Sequence, residues 1–496
     1  MKTLLSLLLS LALFVSSGVA ATLYVSAYTG DDGNDGSSWG TAKRSIQAAV
    51  DVAAATGGDV ILVSNGTYTA TVDPVVRFKR SVDIRSVNGP EVTIINGENV
   101  RRCVYFGLNT SGDPAYLSGF TICNGNTLST GGSGAGVYKE HQRDFYLSNC
   151  VIHANNSSRN GGGINKTGNA CQMIVTDCII SNNQAGEYGA GVSSTHSGHL
   201  FMYNCKIVNN ESTLGGGGVY GISNTNYLGT IFELHGCRIA GNTTLSDSGG
   251  GIYSVGRAGS TCVVNNCIVE YNHATKVGGG ILHRNFDGDL FISNCIIRGN
   301  EANGNNYPGA GARIDGPCRM TGCLIAGNKG IGYGGGLVLY SGTNVVEIEN
   351  VTIVSNSTMS DYGGGLAIQA QVTACTIRNT IIYNNTSVDG GRSNAFVDAG
   401  SGVIFTNCCT APLAYGTDQP ITPNADNIDS DPLFVNLTGG DYRLQSDSPC
   451  INTGANMLWM ADAIDLDGRC RLDRFSRQVD MGCYEYLPSG TAFTLR

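Results

Sequence analysis

Ser148-Asn149-Cys150-Val151-Ile152-His153-Ala154-Asn155 is answered by Thr176-Asp177-Cys178-Ile179-Ile180-Ser181-Asn182-Asn183 and again by Ser293-Asn294-Cys295-Ile296-Ile297-Arg298-Gly299-Asn300. Aligned on the cysteine, the phrase recurs at Phe120, Cys150, Cys178, Cys205, Cys237, Cys267, Cys295, Cys323, Val351, Thr380 and Cys408. The steps lie between 27 residues (178 to 205) and 32 residues (205 to 237). A fixed period of this size belongs to a solenoid, in which each repeat buries its apolar face only against its neighbours.

Around the cysteine, apolar residues stand five and three positions earlier (Phe145 and Leu147; Leu290 and Ile292) and two positions later (Ile152, Ile297). A spacing of two is a strand facing one way. The phase breaks just before the cysteine, at Asn149, Asp177, Asn204, Gly236, Asn266, Asn294, Gly322, Asn350 and Asn379, residue types that tolerate a left-handed backbone. A bend is expected there. A second asparagine column, Asn155 to Asn385, closes the strand and is expected to cap it through nearby backbone. A third strand opens with glycines and an aliphatic, as in Gly249-Gly250-Gly251-Ile252. Three short strands per repeat, stacked about 4.8 Å apart, predict an all-β, right-handed, three-sided parallel β-helix of about ten to twelve coils.

The chain begins Met-Lys-Thr, runs apolar from Leu4 to Val15 and turns small through Ala20-Ala21, which reads as a signal peptide over 1–21. That apolar run is short for a membrane span, so no transmembrane segment is expected after signal removal. The expected location is outside a bacterial cell, secreted or on the outer surface. A formal charge of −9 argues against nucleic acid and anionic membranes as partners. Eighteen cysteines would suggest a disulfide scaffold in an exported chain, but most fall in the repeat columns, where they pack as small hydrophobes. Bridges are expected among Cys450, Cys470 and Cys483 instead, with the pairing open.

Residues 22–118 read as an N-terminal cap and first coils: a strand at Thr22–Ser26, an amphipathic helix from Ser45 to Ala53 as a lid, and a strand over Asp59–Val63. Regular coils fill 119–411, an Asp-rich non-repeating module 412–486, and a tail 487–496. The opening (Leu23-Tyr24-Val25-Ser26, Ser45-Ile46-Gln47-Ala48-Ala49, Gly66-Thr67-Tyr68) resembles the cap of exported β-helix proteins of the pectate-lyase-like superfamily. The Gly-Gly-Gly-Ile and Phe-x-x-Asn phrases are similar to repeats of chlamydial polymorphic outer-membrane proteins. Asp431-Pro432-Leu433-Phe434, Asp441-Tyr442-Arg443-Leu444, Ser448-Pro449-Cys450-Ile451-Asn452 and Asp480-Met481-Gly482-Cys483-Tyr484-Glu485 resemble the bacterial choice-of-anchor Q domain. The resemblance implies an exported, surface-associated β-helix. Neither self-transport through a polymorphic-protein translocator barrel nor a sorting anchor is expected.

The catalytic phrases of polygalacturonases, pectinesterases, alginate epimerases and pectate lyases are missing or incomplete. The remaining candidate catalytic set is His283, Arg284, Asp287 and Asp289 with Arg313 and Asp315 one coil on; a β-eliminating lyase needs carboxylates or Ca²⁺ to neutralise a uronate and a base to take its proton. Lys139, Glu140, His141, Arg143, Lys166, His196 and His199 form a second polar group, read as solvated loop residues. An outward column (Val151, Ile179, Ile268, Ile296, Leu324, Ile381), interrupted by Lys206, Arg238 and Thr352, runs beside Tyr146, Ile174, Phe201, Val263 and Phe291 across the bend. Such a stripe marks a ligand or partner surface, with Tyr146, Phe201 and Phe291 as its stacking rings, unless the C-terminal segment folds over it. Asp462, Asp465 and Asp467 are spaced like Ca²⁺ ligands, with a capping turn as the alternative. The function expected is non-catalytic binding of an extracellular or cell-surface polysaccharide or protein. The alternative is a polysaccharide lyase or glycoside hydrolase.

Overall fold

The computed structural model describes residues 20–54, 57–108, 112–129, 131–169, 171–196, 198–222, 230–257, 259–285, 288–305, 307–341, 345–361, 363–388, 393–398, 402–410, 426–472 and 476–487. It is a right-handed parallel β-helix. Sheet A stacks fourteen strands from Thr22–Val25 to Val403–Thr406, sheet B thirteen from Gly66–Tyr68 to Cys409–Thr410, and sheet C twelve from Val76–Phe78 to Ala395–Val397. Every ladder in the three sheets is parallel and keeps the repeat in register, as in Phe145↔Met173 and Ile152↔Ile180, except for one shift between Ile314 and Asp315 in sheet C. The interior columns of all three sheets form one core.

Each coil turns from A to B on the residue before the cysteine. Asn149, Asp177, Asn204, Asn266, Asn294, Asn350 and Asn379 have φ between 49° and 53°, and Gly236 and Gly322 replace them at 63° and 62°. One left-handed residue therefore makes each corner, and the cysteine behind it enters the core.

The repeat has more structure than three strands. After sheet B, two-residue strands from Asn156–Ser157 to Ser357–Thr358 make an eight-stranded ladder along the next corner. The asparagine column beside them faces inward and does more than cap a strand. Each Nδ2 donates to the Oδ1 of the next coil's asparagine (Asn155 to Asn183, 2.9 Å; Asn242 to Asn272, 2.9 Å) and to a carbonyl of the coil before (Asn242 to Ile207, 2.9 Å). Each Oδ1 also accepts the backbone N–H of the preceding column member. The chain of bonds runs to Asn394. A buried amide is tolerated here because all four of its bonding positions are filled.

At the N-terminal end the helix Ile46–Val52, capped by Ser45, buries Ile46, Ala49 and Val50 against the first strands. It covers an edge that would otherwise present unpaired backbone.

The described residues of 426–487 hold one antiparallel hairpin, Phe434–Asn436 with Asp441–Leu444, a single 3-10 turn at Leu458–Met460 and otherwise irregular chain. They lie along the A–B corner. Asn350 Nδ2 donates to Asp480 O (3.0 Å), Asn379 Nδ2 to Ala455 O (2.9 Å) and Asn407 Nδ2 to Thr453 O (3.0 Å). Leu324, Val354, Ile381 and Cys409 pack there against Phe434, Cys450, Met481 and Cys483.

Inside this module Arg471 is fully buried, donating to Gly482 O, Cys483 O and Glu485 Oε1. Burial, and after it the facing Asp480 carboxylate, push Glu485 up to about 8 in spite of Arg471. Asp480 itself accepts from the amides of Asn452 and Tyr486, and Asp465 from that of Glu485. A carboxyl that holds its proton more tightly folded than unfolded contributes stability that is complete below about pH 4.3 and is lost as pH rises through the folded value. The module is expected to resist protease better at pH 5 than at pH 9, and Glu485→Gln to flatten that difference. Equal cleavage rates at both pH values in the unsubstituted chain would refute this.

Candidate functional site

Sheet C separates the catalytic candidates onto opposite faces. His283 pairs with Ile314 in register and points into the core beside Ser254, whose Oγ lies 2.6 Å from its Nδ1. Its side chain is sealed, and burial lowers its pKa to about 3. The expectation that His283 works beside Arg284 and Arg313 is corrected by strand alternation: neighbouring residues face opposite ways. The small cavity near it, lined by Ser194, Thr230, Phe232, Ser254, Ser260 and Cys262 among others, holds about 20 Å³, room for a water rather than a sugar.

Arg284, Arg313 and Asp315 do share the outer face. Arg284 Nη1 donates to Tyr253 Oη at 3.2 Å. Arg313 lies 3.6 Å from the centre of the Tyr340 ring and grips Asp315 with two bonds (Nε to Oδ1, 2.9 Å; Nη2 to Oδ2, 3.3 Å). Both members of that pair are almost wholly buried, so the guanidinium is already neutralised by its own strand. Asp289 is exposed at the start of a sheet-A strand, and Asp287 lies outside the described residues. Sequence reasoning missed the tyrosines here. Tyr188 stacks on Tyr220 (4.5 Å) and Tyr307 lies 4.7 Å from Tyr333, so two aromatic clusters flank the arginines. Their signal in the sequence is the tyrosine just before or just after the glycine stretch of a coil: Tyr188, Tyr307 and Tyr333 before it, Tyr220 after it.

The second polar group divides as well. Lys139 and Lys166 point into the core, whereas His141 is half-buried and His199 Nδ1 accepts the Ile231 N–H at 3.0 Å.

The lateral stripe is present but shorter than the sequence implied. Its lower part, including Leu324 and Ile381, is covered by the C-terminal module. Upstream it is open: Tyr116 and Phe291 are each 39% exposed and Ile179 is 37% exposed. Tyr116 and Tyr146 sit on adjacent coils with ring centres 4.8 Å apart and planes 22° apart, and Phe201 continues the column. Tyr203 and His235 stack alongside at 5.2 Å and 11°.

In the module, Asp462, Asp465 and Asp467 do not converge as a Ca²⁺ site. Asp465 Oδ1 accepts the amides of Asp467 and Arg469 and its Oδ2 that of Glu485; Asp467 faces Arg443 and Arg469. The same spacing builds a turn, because amides arrive where a cation would sit. Cys450, Cys470 and Cys483 are free thiols, so the bridges expected among them are not formed; Cys470 is exposed, and Cys450 is buried in the same apolar cluster as Cys409 of the last coil. A cleft of about 410 Å³ lies between cap and first coil, lined by Asp32, Arg44, Gln47, Tyr68 and Thr69 among others.

No family model matches the chain, and no curated protein matches it. Solved structures similar to it include XylC in complex with xylose (10% identity, 94% of this chain and 98% of that one, TM-score 0.47). Others are pectate lyase Pel9A (14%, 94% and 97%, TM-score 0.40) and the A-module of mannuronan C-5 epimerase AlgE6 from Azotobacter vinelandii (14%, 75% and 95%, TM-score 0.33). At these scores the likeness carries no argument about activity. The fold rests on the ladders themselves.

Proposed function

We propose that this is an exported, surface-associated β-helix that binds an extracellular polysaccharide without transforming it. The observation that supports the reading is the outer sheet-A column Tyr116, Tyr146, Ile174, Phe201, Glu233, Val263 and Phe291, in which four rings, the first two stacked, stand in coil register with one carboxylate among them. Such a row offers flat apolar faces, repeated along the rod, to successive sugars of a chain. The C-terminal module, by its likeness to choice-of-anchor Q segments, would serve surface association. A binding face needs no base, which agrees with His283 being turned inward.

The test pairs binding with product analysis. The mature chain is incubated with acidic and neutral polysaccharides, with and without Ca²⁺, and products are read by mass spectrometry while affinity is read on immobilised glycans. The expected result is intact polymer and a bound glycan whose affinity falls about tenfold or more, 1.4 kcal/mol, on Tyr146→Ala with Phe291→Ala. Unsaturated oligomers would sink the binding reading and favour a lyase using Arg284, Arg313 and Asp315, which do face outward together. His283→Ala is expected to leave either outcome unchanged.

A further inference from the structure

Two amines and a thiol share a corner of the core where sheet C turns towards sheet A. Lys139 and Lys166 pair in register on adjacent coils, and both are sealed from solvent. Lys139 Nζ donates to His141 O at 2.5 Å and lies 2.7 Å from Cys171 Sγ; Lys166 Nζ has one long bond, 3.4 Å, to Gly168 O. Neither makes an ion pair with a carboxylate among the described residues. An ammonium held this way is costly, and burial lowers both amines, Lys166 to about 8. The lowered values raise the share of neutral amine, and the neutral amine is the nucleophilic form. The 2.7 Å gap is tight for a nitrogen–sulfur hydrogen bond, sulfur being larger than oxygen, and matches the reach of two single bonds through one oxygen atom.

We propose that Lys139 and Cys171 form an oxidative modification site, in which dioxygen joins them through a single oxygen as Nζ–O–Sγ. One N–H bond and the S–H bond break; an N–O and an O–S bond form. Nitrogen and sulfur together give up four electrons, one oxygen atom stays in the bridge, and the other leaves as water with both protons. Dioxygen is small and uncharged, so it reaches a thiol that is only 2% exposed and closed to bulkier reagents. The bridge removes two titratable groups from the core and ties the turn after Lys139 to the strand entry at Cys171.

The mature chain, kept in air or under a thiol reductant, is digested with trypsin and mapped by mass spectrometry. The expected result in air is a cross-linked peptide containing residues 139 and 171, about 14 Da heavier than the sum of its parts, as one added oxygen and two lost hydrogens require. It should disappear on reduction, be absent from Lys139→Arg and Cys171→Ser, and persist in Lys166→Met. Recovery of Cys171 from the air-exposed, unsubstituted chain as a fully alkylatable thiol, with normal cleavage after Lys139, would overturn the proposal. So would a cross-link about 2 Da lighter than its parts, which is a direct sulfur–nitrogen bond. Both readouts use the unsubstituted protein, so a variant that fails to fold does not decide the matter.

Discussion

Asn272→Ala is expected to lower stability by about 3–6 kcal/mol, although it removes no charge and little apolar surface. Asn272 Nδ2 donates to Ile239 O (2.9 Å) and Asn300 Oδ1 (3.0 Å), and its Oδ1 accepts both the N–H and the Nδ2 of Asn242 (2.9 Å each). Alanine leaves two donors and a carbonyl in the core without partners, each costing about 1–3 kcal/mol, with partial relief as the coils relax. Each coil touches only its neighbours, so hydrogen exchange should accelerate mainly in the coils around 242 and 300. Asn156→Ala, whose side chain bonds only Gln184 at the surface, is the control and should cost under about 0.5 kcal/mol. Denaturant unfolding compares them, and a loss below about 1 kcal/mol at Asn272 would show that the amide column is not cooperative.

Glu349→Ala is expected to release the C-terminal module from the rod. Glu349 is 1% exposed and collects Arg319 Nη2 (3.4 Å), Arg378 Nη1 (3.2 Å) and the indole Nε1 of Trp459 (2.7 Å). Removing it leaves Arg378 without its carboxylate, Arg319 with only the more distant Glu347 (3.6 Å), and an indole N–H without its acceptor. Losing one partner of a buried pair costs about 3–5 kcal/mol; here the arginines are partly solvated, so about 2–4 kcal/mol is expected, concentrated where the module meets the coils. Trp459 is one of two tryptophans and reports this directly. Its emission should shift to the red, and protease should cut within 426–487 while the coils stay intact. Unchanged emission together with unchanged cleavage would show that the module is held by its apolar contacts alone.

The fold was legible because it is written in columns. Phe145, Leu147, Cys150 and Ile152 recur with coil register, and the left-handed corner at Asn149 follows from the broken phase. The sites were less legible. Sequence adjacency grouped His283 with Arg284, yet a strand places neighbours on opposite faces, so proximity along the chain opposed proximity in space. Lys139 and Lys166 look like surface residues by type, and only their pairing beneath Phe106 in the sheet-C ladder reveals the inward position. The cover over Leu324 and Ile381 comes from Phe434 and the residues after it, more than 50 positions away, which no local pattern encodes.

The asparagine column also gives the molecule an electrical direction. Along the column every Nδ2 from Asn155 to Asn385 gives one of its bonds to the Oδ1 of the next column member, so the Oδ1 atoms that accept them face the cap. Aligned amides sum as they do along an α-helix, and each polarises the next. The rod therefore carries a filament of side-chain dipoles through its interior, negative at Asn155 and positive towards Asn394. Two such rods laid side by side would feel each other's orientation, antiparallel arrangements being the more favourable.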